Sequence, residues 1–155
     1  RRIQEAVLTP VNALQTYFPD SFIYYKPKDI VSGDFYWFSK RNGKVIVAAA
    51  DCTGHGVPGA FMAMLGNTLL NEIVNDKCIT TPSEILELLR TGIINALKQG
   101  NESSDTKDGM DIALICYDID ASSLEIEALL SNSHTTSRPW SGHKNTKWFL
   151  SYSAF

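Results

Sequence analysis

Two aspartates, Asp34 and Asp51, have the type and spacing to do chemistry together, and each lies beside glycine-rich backbone. Asp34 follows Gly33, and Asp51 opens Asp51-Cys52-Thr53-Gly54-His55-Gly56-Val57-Pro58-Gly59-Ala60. Between them run Phe35-Tyr36-Trp37-Phe38-Ser39-Lys40, then Arg41-Asn42-Gly43-Lys44, then Val45-Ile46-Val47-Ala48-Ala49-Ala50, a strand, turn, strand pattern. Asn42-Gly43 is a strong hairpin signal, because both central residues of a type I′ turn need positive φ. That turn faces Arg41 with Lys44. Counting outward, it faces Trp37 with Ala48, Tyr36 with Ala49, Phe35 with Ala50 and Asp34 with Asp51. Directly opposed residues hold their Cβ atoms roughly 4.5–5.5 Å apart, and like charges placed there are destabilising. A cation, a shared proton or solvent must compensate. Paired oxygen ligands suit a hard divalent ion, Mg2+ or Mn2+. A longer turn would slip the register and leave both acids as loop or cap residues facing water.

The elements that must position this pair are legible on either side. Apolar residues Ile3, Val7, Leu8, Val11 and Leu14 follow helical spacing, with a break at Pro10. Phe22-Ile23-Tyr24-Tyr25 reads as a short strand. After the glycine loop, Phe61, Met62, Leu65, Leu69, Leu70, Ile73 and Val74 form one wide apolar face of a helix over 57–74, with Pro58 in its first turn. Phe61, Met62 and Met64 read as core on the same pattern. Thr81-Pro82-Ser83-Glu84 starts a second helix, with Thr81 as N-cap, which runs to about Gly100. Residues 101–109 are polar and read as a loop. Ile112–Asp118 is an apolar strand, followed by a turn at 120–123 and a further strand to Leu129. Hairpins with paired helices between them indicate a layered α+β fold.

Composition narrows the function. The 155 residues make one domain with 44% hydrophobic and 20% charged residues. A net charge of −3 without a basic cluster argues against a nucleic-acid partner or contact with an anionic membrane. The three cysteines, Cys52, Cys78 and Cys116, are far apart, so neither a disulfide framework nor a zinc site is indicated. Cys78 and Cys116 read as small buried residues of a reducing, cytoplasmic compartment. No apolar run approaches the ~18 residues of a membrane span. Because there is no initiator Met and the first residues resemble the end of a longer helix, residues 1–18 are read as a linker helix from an upstream region that could hold a sensor or a membrane anchor.

Gly54-His55-Gly56-Val57-Pro58-Gly59 fits a GxGxxG pattern, but a dinucleotide fingerprint also needs a parallel strand ending in an acid about 20 residues on. Helices occupy that place instead. At a cation site the same glycines have another use, since they allow close backbone approach while the following helix turns its free N–H groups towards anions. A simple tight turn would need them as well. From Ser131 the chain is polar and aperiodic, and His134 and His143 in it read as solvated.

Lys26-Pro27-Lys28-Asp29-Ile30-Val31-Ser32-Gly33-Asp34-Phe35-Tyr36-Trp37, the Asp51–Ala60 stretch and Lys107-Asp108-Gly109-Met110-Asp111-Ile112 together resemble the bacterial stage II sporulation E-type serine/threonine phosphatases. These are the bacterial branch of the metal-dependent superfamily that includes protein phosphatase 2C. Ile3-Gln4-Glu5-Ala6-Val7-Leu8-Thr9-Pro10 is similar to the helix joining such domains to upstream sensors. The resemblance implies an αββα sandwich of antiparallel sheets flanked by helix pairs, incomplete at the C-terminus, with a binuclear Mg2+ or Mn2+ site. It implies Asp34 and Asp51 as ligands, Asp51 bridging, the Cys52 backbone carbonyl as a further ligand, and Gly54 and Gly56 beside the phosphate. His55 resembles a histidine that protonates the leaving alkoxide, and Asp111 is read as structural. The implied activity is phosphoprotein hydrolysis by metal-activated water, with a phosphorylated regulatory protein as partner. The family's later glycine-histidine motif and two further aspartates are missing after Ser131. Residues 19–130 are therefore read as a partial phosphatase domain and 131–155 as an aberrant or disordered tail, a frameshift near Glu127 being the leading explanation. The competing reading is an inactive phosphatase-like domain that binds a partner.

Overall fold

The Asn42-Gly43 turn forms as its chemistry requires, with φ of 51° and 75°, and it sets the register of the two strands it joins. In this computed structural model, which describes residues 2–27, 30–97, 108–129, 136–140 and 150–151, β2 (Phe35–Arg41) and β3 (Lys44–Cys52) pair antiparallel. Arg41 faces Lys44, Trp37 faces Ala48, Tyr36 faces Ala49 and Phe35 faces Ala50, as the turn dictates. Strand β4 (Met110–Asp118) pairs with the other edge of β3, β5 (Ser123–Leu129) with β4, and β6 (Thr136–Trp140) with β5, all antiparallel. A short β1 (Ile23–Tyr24) pairs in parallel with β7 (Leu150–Ser151).

Helix α1 (Arg2–Val7) and the single turn α2 (Val11–Leu14) flank the break at Pro10. Helix α3 (Gly56–Leu70) runs on as a π-helix over Asn71–Asp76, and α4 (Pro82–Leu97) follows, its first N–H bond accepted by the Thr81 carbonyl. The fold is α+β, an antiparallel sheet with a helix pair packed on one face. Of an αββα sandwich the described residues build one five-stranded sheet and its helix layer, beside the separate two-stranded β1–β7 sheet.

Strand alternation decides what each face does. Phe35, Trp37, Ile46, Ala48, Ala50, Cys52, Ile112 and Leu114 point towards α3 and α4, where Met62, Leu70, Ile85 and Leu89 complete the main core. The other face buries Phe38, Val45 and Val47 under Leu14, Tyr17 and Phe18, at the end of the sheet away from Asp51. Asp34 and Asp51 belong to this second face. A polar ladder on α3 and its π extension clamps β2 against the helix. Trp37 Nε1 donates to Asn71 Oδ1 at 3.3 Å, Ser39 Oγ to Asn75 Oδ1 at 2.5 Å, and Arg41 Nη2 to the Asn75 carbonyl at 2.6 Å.

Two side chains read as core lie outside it. Phe61 is 67% exposed, because the buried stripe of α3 runs through Gly59, Ala60, Met62, Ala63, Gly66, Asn67 and Leu70. Those small residues let the helix approach the sheet closely and turn Phe61 outward. Cys78 is also exposed, at a φ of 58° where the chain leaves the π-helix, with the Arg41 guanidinium 3.2 Å from its Sγ. Cys116 is buried as expected.

Strands β6 and β7 lie in a stretch whose side-chain pattern carries no strand period, and edge pairing through the backbone needs none. Pro139, which cannot donate to a ladder, fits an edge strand. The rest of the tail, including His134 and His143, and most of the polar 101–109 loop lie outside the described residues. No helix among the described residues is long and apolar enough to cross a membrane.

Candidate metal centre

Continuing the β2–β3 register one position beyond Phe35 and Ala50 brings Asp34 opposite Asp51. Asp34 is buried, at 9% exposure, whereas Asp51 faces outward. Their negative charges converge on Cys52. Burial, and after it the charges of Asp34 and Asp51, push its thiol up to about 12, so the sulfur stays protonated and is unsuited to bind a cation. The oxygen of Cys52 is the available donor, and the backbone around it is arranged for close approach.

Three glycines make that approach possible. A Cβ built on Gly33 would stand 3.1 Å from the Cys52 carbonyl oxygen and 3.1 Å from that of Gly54. One on Gly59 would fall 2.5 Å from the Gly54 oxygen and 3.1 Å from the Gly33 Cα. The loop bearing Asp34, the loop after Asp51 and the first turn of α3 therefore meet backbone to backbone. Gly54 at a φ of 89° and Gly56 at 65° turn the chain from strand to helix. The helix begins at Gly56, two residues before Pro58, which occupies a first-turn position where its missing N–H costs nothing. His55 is the N-cap residue, with extended backbone and no side-chain cap hydrogen bond.

Asp34 is held by groups that sequence reasoning missed. Its N–H donates to Ser32 Oγ at 3.0 Å, and Tyr25 Oη donates to its carbonyl at 3.1 Å. Ser32 is in turn gripped by the buried amide of Gln4 on α1, which donates to the Ser32 carbonyl at 2.5 Å and accepts its N–H at 3.1 Å. The available signal was Gln4 itself, a polar residue between Ile3 and Val7 in an otherwise apolar stripe. Replacing Gln4 by Ala leaves both Ser32 backbone groups without these partners, and each such loss costs about 1–3 kcal/mol. Gln4→Ala is expected to weaken Mn2+ binding measured by calorimetry while leaving the β-sheet circular dichroism intact.

Beyond Asp51 the sheet continues through Thr53, whose N–H donates to the Gly109 carbonyl at 3.0 Å while its Oγ1 accepts the Gly109 N–H at 2.8 Å. This clamp sets the β3–β4 register, in which Asp51 faces Asp111 and Cys52 faces Met110. Among the described residues no group of three or more His, Cys, Asp or Glu forms a metal cage. Two carboxylates and a carbonyl in a glycine cradle nevertheless fit a hard divalent ion that keeps part of its coordination for water. They do not fit a nucleotide fingerprint, because β4 returns antiparallel to β3 instead of parallel.

The family model described as Stage II sporulation protein E (SpoIIE) matches residues 41–131, more than half of the chain. The chain belongs to the SpoIIE family. The matched segment contains Asp51, Cys52, His55 and Asp111, while Asp34 lies before it and rests on the hairpin register. Among solved structures, this SpoIIE-family chain is similar to the SiaA-PP2C domain of Pseudomonas aeruginosa, with 29% identity over 81% of this chain, 49% of that one and a TM-score of 0.66. It therefore spans about half the length of that domain. A stage II sporulation E family protein from Thermanaerovibrio acidaminovorans matches at 13% identity, over 60% of this chain and 43% of that one, with a TM-score of 0.49. The RsbU and RsbW domains of a Mycobacterium tuberculosis protein match at 20% identity, over 70% and 27%, with a TM-score of 0.45. A search of curated proteins gives no match.

Proposed function

We propose that this SpoIIE-family chain carries the N-terminal part of a metal-dependent phosphoserine or phosphothreonine phosphatase domain, acting in the cytoplasm on a phosphorylated regulatory protein under control of an upstream sensor. The observation that carries the proposal is the β2–β3 register, which one position beyond Phe35 and Ala50 sets Asp34 opposite Asp51, with Gly33 against the Cys52 carbonyl and the first turn of α3. Asp34, Asp51 and the Cys52 carbonyl would hold Mg2+ or Mn2+. When bound, such ions lower the pKa of water and offset charge on phosphoryl oxygens. The chain's own part is to orient. The Gly54–Gly56 turn leaves the first N–H groups of α3 open towards the side where an anion would sit. On this reading His55, the N-cap residue at that turn, donates a proton to a departing serine or threonine alkoxide.

Leaving-group chemistry separates that role of His55 from a positioning one. A p-nitrophenolate leaves without a proton, whereas a serine alkoxide needs one. His55→Ala is expected to lower kcat on a phosphoserine peptide at least about 10²-fold and on p-nitrophenyl phosphate by only a few-fold. Equal losses on the two substrates would remove His55 from proton transfer.

A second reading is favoured by one observation, that the described residues supply no cluster of three ligating side chains. On that reading the chain binds a partner protein without turning it over. Manganese-dependent hydrolysis of p-nitrophenyl phosphate by the 155-residue chain tests both. Turnover lost in Asp51→Asn supports the phosphatase, and no turnover with Mn2+ bound supports the binding module.

A further inference from the structure

We propose that the sheet face carrying Ala49 and Ala113 is a self-association surface, and that its occupant is a second copy of this chain. The inference goes beyond the proposed function and does not depend on it. Strands β3 and β4 read Val45-Ile46-Val47-Ala48-Ala49-Ala50 and Ile112-Ala113-Leu114-Ile115-Cys116-Tyr117, with no alternation of apolar and polar residues. An antiparallel sheet with one solvated face alternates, and a continuous apolar run is the composition of strands covered on both faces. The helix side is covered, with Ala48, Ala50, Ile112 and Leu114 all buried. On the other side Leu14, Tyr17 and Phe18 cover the row made by Phe38, Val47 and Ile115, and among the described residues that cluster ends there. In the next row Ala49 faces Ala113 and Ala113 faces Ala128. Ala113 is exposed and the other two are half-buried.

This face is a step. Its turn end is raised by a layer of bulky side chains, and its Asp51 end is a low floor of alanines. Packed sheets lie about 10 Å apart with side chains filling the gap, so an alanine floor needs bulk from whatever covers it. A second copy supplies that bulk under a two-fold axis crossing the strands, because the raised half of each copy then stands over the low half of the other. Such an interface is isologous and closes at two copies. Charge favours the same arrangement. Lys40 shares the face of Phe38 at the raised end, exposed, with its Nζ 5.2 Å from the centre of the Tyr17 ring, and exposed Asp51 lies at the low end. The crossing axis brings Lys40 of one copy towards the end that bears Asp51 in its partner, whereas an axis along the strands brings two acidic ends together. An αββα sandwich carries a second sheet on this face. This chain spans about half the length of the SiaA-PP2C domain and its described residues build one five-stranded sheet, so a second copy fills that place with the same sheet.

The test is sedimentation velocity at low ionic strength on a dilution series of the 155-residue chain, beside Ala113→Arg, Lys40→Glu and Thr68→Arg, the last on the exposed outer side of α3. The expected result for the unsubstituted chain is a species of twice 17.2 kDa that dissociates on dilution. Self-association should weaken at least about ten-fold in Ala113→Arg, and measurably in Lys40→Glu, with Thr68→Arg unchanged. A chain that stays monomeric throughout would overturn the inference, as would a dimer that Ala113→Arg leaves intact or association that grows beyond two copies. A dimer lost in Ala113→Arg but unchanged in Lys40→Glu would refute the crossing two-fold axis. If Ala113→Arg does not fold, the methyl resonances of Ala49 and Ala113 in the unsubstituted chain decide, read with a soluble paramagnetic agent. Protection that is lost on dilution supports the inference, and attenuation that is the same at every concentration refutes it. None of these readings involves Mn2+, so the phosphatase proposal stands or falls separately.

Discussion

Asp51→Asn is expected to lower manganese-dependent phosphate-ester hydrolysis by at least about 10³-fold, equivalent to about 4 kcal/mol of transition-state stabilisation. The substitution keeps the shape of the side chain and removes its charge. It should not unfold the protein. With Asp34 and Asp111 facing position 51 from either side, removing one negative charge relieves like-charge opposition worth roughly 0.2–1 kcal/mol per pair. The metal-free variant is therefore expected to melt at the same temperature as the parent or slightly above it. A loss of activity accompanied by a lower metal-free melting point would mean that Asp51 supports the fold and not the chemistry.

Gly59→Ala is expected to destabilise the protein by about 1–2 kcal/mol net, against the direction that helix propensity predicts. In an unconstrained helix interior, exchanging Gly for Ala stabilises by about 1 kcal/mol. Here the new Cβ would stand 2.5 Å from the Gly54 carbonyl oxygen and 3.1 Å from the Gly33 Cα, and neither backbone can rotate away as a side chain could. Overpacking of this kind costs about 1–3 kcal/mol or more, which exceeds the gain. Gly92 in α4 supplies the comparison. A Cβ there would meet Leu69 Cδ2 at 2.9 Å, the far end of a flexible side chain, so Gly92→Ala is expected to be near neutral. At 155 residues, each kcal/mol moves the midpoint by about 2–4 °C. Thermal denaturation of the two variants side by side should show Gly59→Ala lower by several degrees and Gly92→Ala little changed. Because the displaced atoms belong to the loops carrying Asp34 and Asp51, Gly59→Ala should weaken Mn2+ binding as well.

The parts of this centre that could be read in the sequence are those set by local chemistry. Asn42-Gly43 dictates a two-residue turn, the turn dictates the β2–β3 register, and the register brings Asp34 to Asp51 without knowledge of the rest of the fold. Gly54 and Gly56 were likewise legible as turn residues, and both have positive φ. Non-local pairing was not legible. Nothing in the pattern of Ile112–Asp118 says which residue of β3 each position faces, because more than fifty residues and two helices intervene and a two-residue slip keeps the same face buried. The place of Asp111 therefore emerges only with the sheet assembled. Gln4 and Gly59 were missed for a related reason. Each is explained by a backbone from a different part of the chain, Ser32 for one and Gly33 with Gly54 for the other. Phe61 was misplaced because helical periodicity identifies an apolar face but not its rotation when small residues, here Gly59, Ala60, Ala63 and Gly66, supply most of the contact. Cys78 was misplaced by residue-type preference, which a left-handed exit from a helix overrides.

Joint ownership of one cation by Asp34 and Asp51 is tested most directly by a double-substitution cycle read by Mn2+ calorimetry on the unsubstituted chain, Asp34→Asn, Asp51→Asn and the double variant. Two carboxylates on one ion predict strong coupling, with the double variant losing little more affinity than Asp51→Asn alone and the two single losses failing to add by more than about 1 kcal/mol. Additive losses, or Mn2+ binding that survives intact in Asp51→Asn, would contradict it.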